Sequence, residues 1–237
     1  MVVDVCFTPV LYPKYHRADS IVVIVDVFRA TSTLIAAFEN GACSVRPVAT
    51  MEEAELWKSK GFLVGAERNT RRCAFADFGN SPFDYRPELV NGKDIVFTTT
   101  NGTKAIHYAK SAHRIVTGAF VNLQAVADDC IRENRDIVVL CAGWEDKINM
   151  EDTLFGGAFV ELLQLHGFQP AGDAALIALA LWQKWKPNLP DYVKQTEHYE
   201  RMKVNGLEED VPYCLTLNLS KLVPVYSKKE NKLIIES

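Results

Sequence analysis

The chain has no C-x-x-C pair among its six cysteines (Cys6, Cys43, Cys73, Cys130, Cys141 and Cys214). Scattered cysteines without a secretory leader read as reduced thiols, so the protein is expected to be cytoplasmic. Met1–Phe7 lacks a basic n-region and reads as a strand rather than a signal peptide. No apolar run approaches the ~20 residues that a membrane-crossing helix needs. Excess positive charge is also missing: 26 Lys and Arg stand against 30 Asp and Glu, a net charge of -4 with the signs interspersed. Neither nucleic acid nor a membrane surface is therefore an expected partner, and an anionic ligand must be met by locally placed Arg and Lys.

Several catalytic signatures are absent. There is no G-x-x-x-x-G-K phosphate loop and no G-x-G-x-x-G dinucleotide fingerprint. No cysteine is followed by the x₅-Arg of cysteine phosphatases, and Phe28 stands where a dehalogenase-type D-x-D would need a second acid after Asp26. The five histidines show no zinc spacing. Cys141 ends an apolar run with no base nearby in sequence, which fits a structural thiol. Linkers rich in Pro, Gly or Ser are lacking, so residues 1–237 are expected to form one domain. A subdomain division near residue 90, where the pattern restarts, is left open.

What is present is a repeated unit. An apolar strand ends in a polar or Gly-containing loop and feeds a helix at residues 21–40, 94–109 and 137–165. This repetition predicts an α/β fold, a three-layer αβα arrangement on a mostly parallel or mixed sheet. Further strands are expected at 2–7, 45–49, 62–64 and 113–117, and helices at 121–133, 172–185 and 190–204. Thr50-Met-Glu-Glu has the pattern of a helix capping box. The segment to Pro87 reads as a long ordered loop. The tail, with Cys214–Leu217, Val223–Tyr226 and Leu233–Ile235, reads as strand or hairpin structure at a sheet edge.

The strand ends carry the chemistry. Ile21–Val25 delivers Asp26, Arg29 and the hydroxyls of Thr31, Ser32 and Thr33 to its carboxyl end, where ligands bind in open α/β sheets. Thr98-Thr99-Thr100-Asn101-Gly102-Thr103 supplies four hydroxyls, an amide and a glycine before a helix, a composition suited to an anion. An ordinary capped strand end is the competing reading. Arg29 and Arg68 suit bidentate recognition of phosphate, sulfonate or carboxylate. Arg29 is equally placed for a structural ion pair with Asp26 or Asp77. The acids Asp26, Glu67, Asp77, Glu145, Asp146, Glu151 and Asp152 are candidates for a hard cation such as Mg²⁺, with Asp26 foremost. Glu151 and Asp152 also suit the start of a helix for purely electrostatic reasons.

Taken together, the stretches Asp26–Thr33, Glu67-Arg68-Asn69, Asp77-Phe-Gly-Asn-Ser-Pro82, Thr98–Thr103, Cys141-Ala-Gly143 and Glu151-Asp152 resemble the 2-phosphosulfolactate phosphatase (ComB) family. The resemblance runs in family order across most of the chain. It implies a fold peculiar to that family and a Mg²⁺-dependent acid phosphatase that releases phosphate from (2R)-phospho-3-sulfolactate on the route to coenzyme M. Two positions depart from the pattern: Thr70 and Ala76 stand where the family usually carries glycine and a Gly-Phe-Asp step. The departures bear on the substrate more than on the fold.

On this resemblance the catalytic residues are expected to be Asp26, Arg29 and Arg68. Thr31, Ser32, Asn69, Asn80, Ser81, Thr99, Thr100, Asn101 and Gly102 are expected to contact the substrate or its phosphate. Asp26, Glu151 and Asp152 are expected to hold Mg²⁺, and Asp26 is alternatively a nucleophile. The partner is a small anionic phosphorylated substrate, and a homodimer is compatible with such a chain. Two other classes use the same residues: a Mg²⁺-dependent phosphatase, lyase or isomerase acting on another small phosphorylated hydroxyacid, and a non-catalytic binder of anionic metabolites.

Overall fold

The computed structural model describes residues 1–17 and 19–236. Among them, eleven strands form one mixed sheet flanked by helices on both faces. They are β1 (Val2–Cys6), β2 (Ile21–Val25), β3 (Ser44–Pro47), β4 (Leu63–Arg68), β5 (Arg71–Arg72), β6 (Asp94–Thr98), β7 (Arg114–Gly118), β8 (Ile137–Cys141), β9 (Gln169–Pro170), β10 (Pro224–Ser227) and β11 (Lys232–Ile235). Their order across the sheet is β5-β4-β6-β3-β11-β10-β7-β2-β8-β1-β9.

β2 lies at the centre of one parallel block. Val23 stands opposite Val116 of β7 on one side and Val139 of β8 on the other. All five of its residues are buried, because both faces of the sheet are covered. The period of two splits them between two cores. Ile21, Val23 and Val25 pack with Phe155, Phe159 and Trp182 on one face. Val22 and Ile24 join Leu34, Phe38, Ile95 and Phe97 on the other. The second parallel block is β4-β6-β3, in register at Val64 with Val96 and at Val45 with Ile95.

The β10–β11 hairpin, expected at an edge, lies in the middle and joins the two blocks. It is antiparallel to both neighbours and touches each at one register pair, Val225 with Val116 and Leu233 with Val45. Pro224 is tolerated there because it is the first residue of its strand. The two blocks therefore run in opposite senses along the sheet. Five strand steps separate β6 from β2. At roughly 20–25° of twist per step, they accumulate a turn of roughly 100–125°. That rotation turns the carboxyl ends of β2 and β6 toward one another, and the shared Val22, Ile24, Ile95 and Phe97 cluster fixes the approach.

Two more tail expectations are corrected. Cys214–Leu217 was expected as a strand, but Asp210–Leu215 is a short helix. Its apolar run is too short for periodicity to separate strand from helix. The helix expected over 190–204 is two helices, Leu189–Val193 and Glu197–Val204, and the Thr196 hydroxyl caps the second by accepting from the Tyr199 amide at 3.2 Å. The Thr50 cap forms as expected, accepting from the Glu53 amide at 3.2 Å. No helix among the described residues is long and apolar enough to cross a membrane.

Candidate active site

The loops after β2 and β6 meet in a cleft whose walls include Asp26, Arg29, Glu67, Asn80, Thr99 and His198. A side chain at position 102 would be too close for comfort. A methyl there would lie 3.0 Å from Ala30 Cβ, 3.1 Å from Asp26 Oδ2 and 3.3 Å from Thr99 Oγ1. Glycine thus lets the Thr98–Thr103 loop rest against Asp26, with the Asp26 and Thr99 oxygens both bordering the space a side chain there would fill.

Asp26 is buried. Its Oδ1 accepts from the Ala30 amide at 3.3 Å, leaving Oδ2 toward the cleft. Burial pushes its pKa up to about 6; His198 and the Ala30 amide pull the other way, and Glu67 and Glu151 add to the rise. Two buried side-chain oxygens of the cleft walls, Asn80 Oδ1 and Thr99 Oγ1, have no hydrogen-bond partner, nor has Glu151 Oε2 in the adjoining wall. Unpaired buried polar atoms are uncommon in folded proteins, and their gathering here marks a place that expects a ligand.

The other residues expected at the site divide into groups. The Thr31 hydroxyl donates to the Asp26 carbonyl at 2.9 Å and accepts from the Asp26 amide at 3.1 Å. Ser32 donates to the Val27 carbonyl at 2.9 Å. Both therefore brace the β2 loop, and neither lines the cleft. Ser81 donates to Asp210 at 2.6 Å, and Asn69 is exposed at the β4–β5 turn; they too lie off the cleft wall. Thr100, Asn101 and Gly143 do line it.

Arg29 pairs with neither Asp26 nor Asp77. Its guanidinium donates to Asp210 at 2.5 Å and to the Thr70 carbonyl at 3.1 Å, with both members of the ion pair buried. Arg68 donates to the Glu67 carbonyl at 2.6 Å and to Thr98 Oγ1 at 2.9 Å, tying the end of β4 to the end of β6 without lining the cleft. Asp77 is engaged by Lys58 at 2.5 Å and by the Val64 amide at 2.9 Å, a structural role. Thr70, at a place where glycine is usual, has φ of +68°, the left-handed region that suits glycine.

Two carboxylates open the helix Met150–Gln164, and both are fully buried. Asp152 accepts from the Val27 amide at 2.8 Å and the Gly143 amide at 3.3 Å, so both its oxygens join the β2 and β8 loops. Burial, with Glu151 and Asp26 nearby, holds its pKa well above the usual range. Glu151 Oε1 is hydrogen-bonded with His198 Nδ1 at 2.5 Å. His198, on the helix Glu197–Val204, was not anticipated from sequence, nor was Asp210. The histidine is buried edge-on to Phe28, with ring centroids 5.8 Å apart. All six cysteines are unpaired, and burial drives the Cys141 thiol well above its ordinary pKa, which removes it as a nucleophile.

Among the described residues, no group of three or more His, Cys, Asp or Glu is placed to hold a metal ion. Mg²⁺ does not ask for one: it is usually held by one or two carboxylates together with substrate phosphate and water. The free Asp26 Oδ2 and the Glu67 carboxylate on the same wall are hard oxygen donors of that kind, whereas Glu151, with Oε2 unpartnered, lies beside the cleft with Asn149 and Arg201. The donor set fits the ion.

The fold is an α/β fold whose polar strand ends enclose a cleft. The family described as 2-phosphosulpholactate phosphatase matches residues 6–229, and the chain belongs to it. It is therefore a phosphoric monoester hydrolase. The chain is 39% identical over 207 residues to the probable 2-phosphosulfolactate phosphatase of Caldanaerobacter subterraneus subsp. tengcongensis, covering 86% of each chain. The protein of the same description from Thermotoga maritima is 39% identical over 202 residues, 85% of this chain and 87% of its own. That from Carboxydothermus hydrogenoformans is 35% identical over 240 residues, 100% of this chain and 98% of its own.

Proposed function

We propose that the protein hydrolyses 2-phosphosulfolactate to sulfolactate and inorganic phosphate with Mg²⁺ as cofactor. The observation that carries this reading is the convergence of Asp26 Oδ2 with the unpartnered Thr99 Oγ1 at Gly102. Asp26 and Glu67, on the cleft wall, would hold the metal; Asp152, both of whose oxygens are engaged by amides, positions the loops instead. When bound, Mg²⁺ supplies positive charge against the phosphoryl oxygens. Thr99 Oγ1, the Thr100 hydroxyl and the Asn101 amide cradle the phosphate, and Gly102 lets it approach the backbone. Arg29, paired with Asp210 and bonded to the Thr70 carbonyl, fixes the cleft wall. A reaction run almost entirely on positioning and charge is what phosphoryl transfer requires.

Asp26 supports a second reading, as the nucleophile. Its free oxygen sits beside the Thr99 hydroxyl that would hold the phosphate. Attack there would give an aspartyl-phosphate that water then hydrolyses. Rapid-quench labelling with radioactive substrate separates the two: a phosphoenzyme trapped in the wild type and missing in Asp26→Asn assigns the nucleophile. The phosphatase reading itself is tested by phosphate release from a panel of phosphorylated hydroxyacids with and without EDTA. It requires release in Mg²⁺; conversion of the substrate without free phosphate would make the enzyme a lyase or isomerase.

A further inference from the structure

The cleft has little room. Its free space is about 20 Å³, enough for about one water molecule. A phosphorylated acid has a body as well as a phosphate, and that body must go elsewhere. A chamber of about 480 Å³ adjoins the cleft, and Trp144 and His198 belong to the walls of both. Its other walls come from the loop after β8 and from the helix Glu197–Val204, including Lys147, Asn149, Glu151 and Arg201.

Arg201 is the unusual member. Its guanidinium lies over the Trp144 ring, 4.1 Å from the centroid. Nε and Nη2 are shut off from solvent and have no acceptor. Guanidinium donors are seldom left so, because each unpaired buried donor carries its full desolvation cost. The acids around Arg201 form no hydrogen bond with it: Glu151 gives Oε1 to His198 at 2.5 Å and leaves Oε2 unpartnered, and Glu145 and Glu197 do not reach it either. Lys147, across the chamber, is exposed and forms no ion pair among the described residues. Arg29 and Arg68, by contrast, already have their partners.

We infer that this chamber is the second half of the substrate site, and that Arg201, with Lys147, takes the substrate's second anionic group, a sulfonate or carboxylate remote from the phosphoryl end. The inference rests on the phosphatase reading for its substrate and names the class: a small dianionic acid with phosphate at one end and a planar or tetrahedral oxyanion at the other. Such an oxyanion accepts the parallel donors that a guanidinium offers. Trp144 lines both compartments, and the Arg201 guanidinium lies over its ring.

Calorimetric titration in Mg²⁺ buffer tests this with two probes, sulfolactate and inorganic phosphate. In Arg201→Gln the affinity for sulfolactate falls about tenfold or more. In Arg201→Lys and Lys147→Gln it falls less. Phosphate affinity falls by a clearly smaller factor in all three. No binding of sulfolactate to the wild type at millimolar concentration overturns the inference. So does Arg201→Gln binding it as the wild type does, or losing both probes equally, which would show a merely structural role. The phosphatase reading fails separately: sulfolactate bound through Arg201, with no phosphate released from 2-phosphosulfolactate, sinks that reading and leaves the chamber assignment standing.

Discussion

The loop after β2 and the loop after β6 look alike in sequence and are used differently. Each follows a buried strand, carries three hydroxyls in a row and enters a helix. After β2, the hydroxyls of Thr31, Ser32 and Thr33 donate to the carbonyls of Asp26, Val27 and Asn80 at 2.8–2.9 Å. After β6, Thr99 Oγ1 has no partner, and Thr100 Oγ1 reaches only Glu67, at 3.5 Å. The first loop is closed on itself and holds one carboxylate in place. The second is held open by Gly102 and Arg68 and presents its oxygens to the cleft. Residue type says that a hydroxyl is available; only the nearby carbonyls decide whether it is free for a ligand.

The comparison makes Asp26 the one carboxylate that the closed loop contributes to the cleft. Asp26→Asn therefore has the largest expected effect, a loss of phosphate release on the order of 10⁴-fold. Turnover kinetics at saturating Mg²⁺ check it, and activity within tenfold of the wild type breaks the assignment. Next is the buried pair that anchors the same loop. Asp210→Ala leaves Arg29 charged and unpaired, and is expected to cost about 3–5 kcal/mol of stability, read by urea denaturation.

The pH dependence follows with its sign. The folded state holds Asp26 at a pKa of about 6 against a usual 3.8. Between these values the folded protein binds more protons than the unfolded chain, so stability falls as pH rises from about 4 to about 6. The shift corresponds to roughly 3 kcal/mol at most. Asp152, also raised, extends the trend upward in pH. Melting curves in EDTA should show this decline in the wild type, and Asp26→Asn should be the more stable protein above pH 6. A wild type whose stability rises over that window contradicts the burial of a charged Asp26. The smallest effect is at the β4–β5 turn: Thr70→Gly relieves a left-handed β-branched residue and is expected to stabilise by about 1 kcal/mol or less, seen as a small rise in Tm.

Much of this was legible from residue pattern. The β-branched runs of β2 and β8 announce buried strands, and the Thr-Thr-Thr-Asn-Gly-Thr loop a polar strand end that lines the cleft, because local sequence alone sets burial and backbone freedom there. The partners were not legible. Arg29 meets Asp210 across 181 positions, and Glu151 meets His198 across 47. Both partners lie in the helices after residue 190, a polar region whose pattern suggests only a solvated surface. The position of the β10–β11 hairpin was hidden for the same reason: a charged turn and a proline look like an edge, and only long-range pairing places them at the centre.

The central claim is that the free hydroxyl after β6, and not the bound ones after β2, meets the phosphate. Phosphate release by Thr99→Val and Ser32→Ala, measured side by side with their melting temperatures, tests it most directly. The expected result is that Thr99→Val loses about 10–10² in kcat/KM with its stability intact. Ser32→Ala should lose about 1 kcal/mol of stability and keep its turnover within a small factor. Equal losses of turnover in the two variants, or an unimpaired Thr99→Val, would contradict the account.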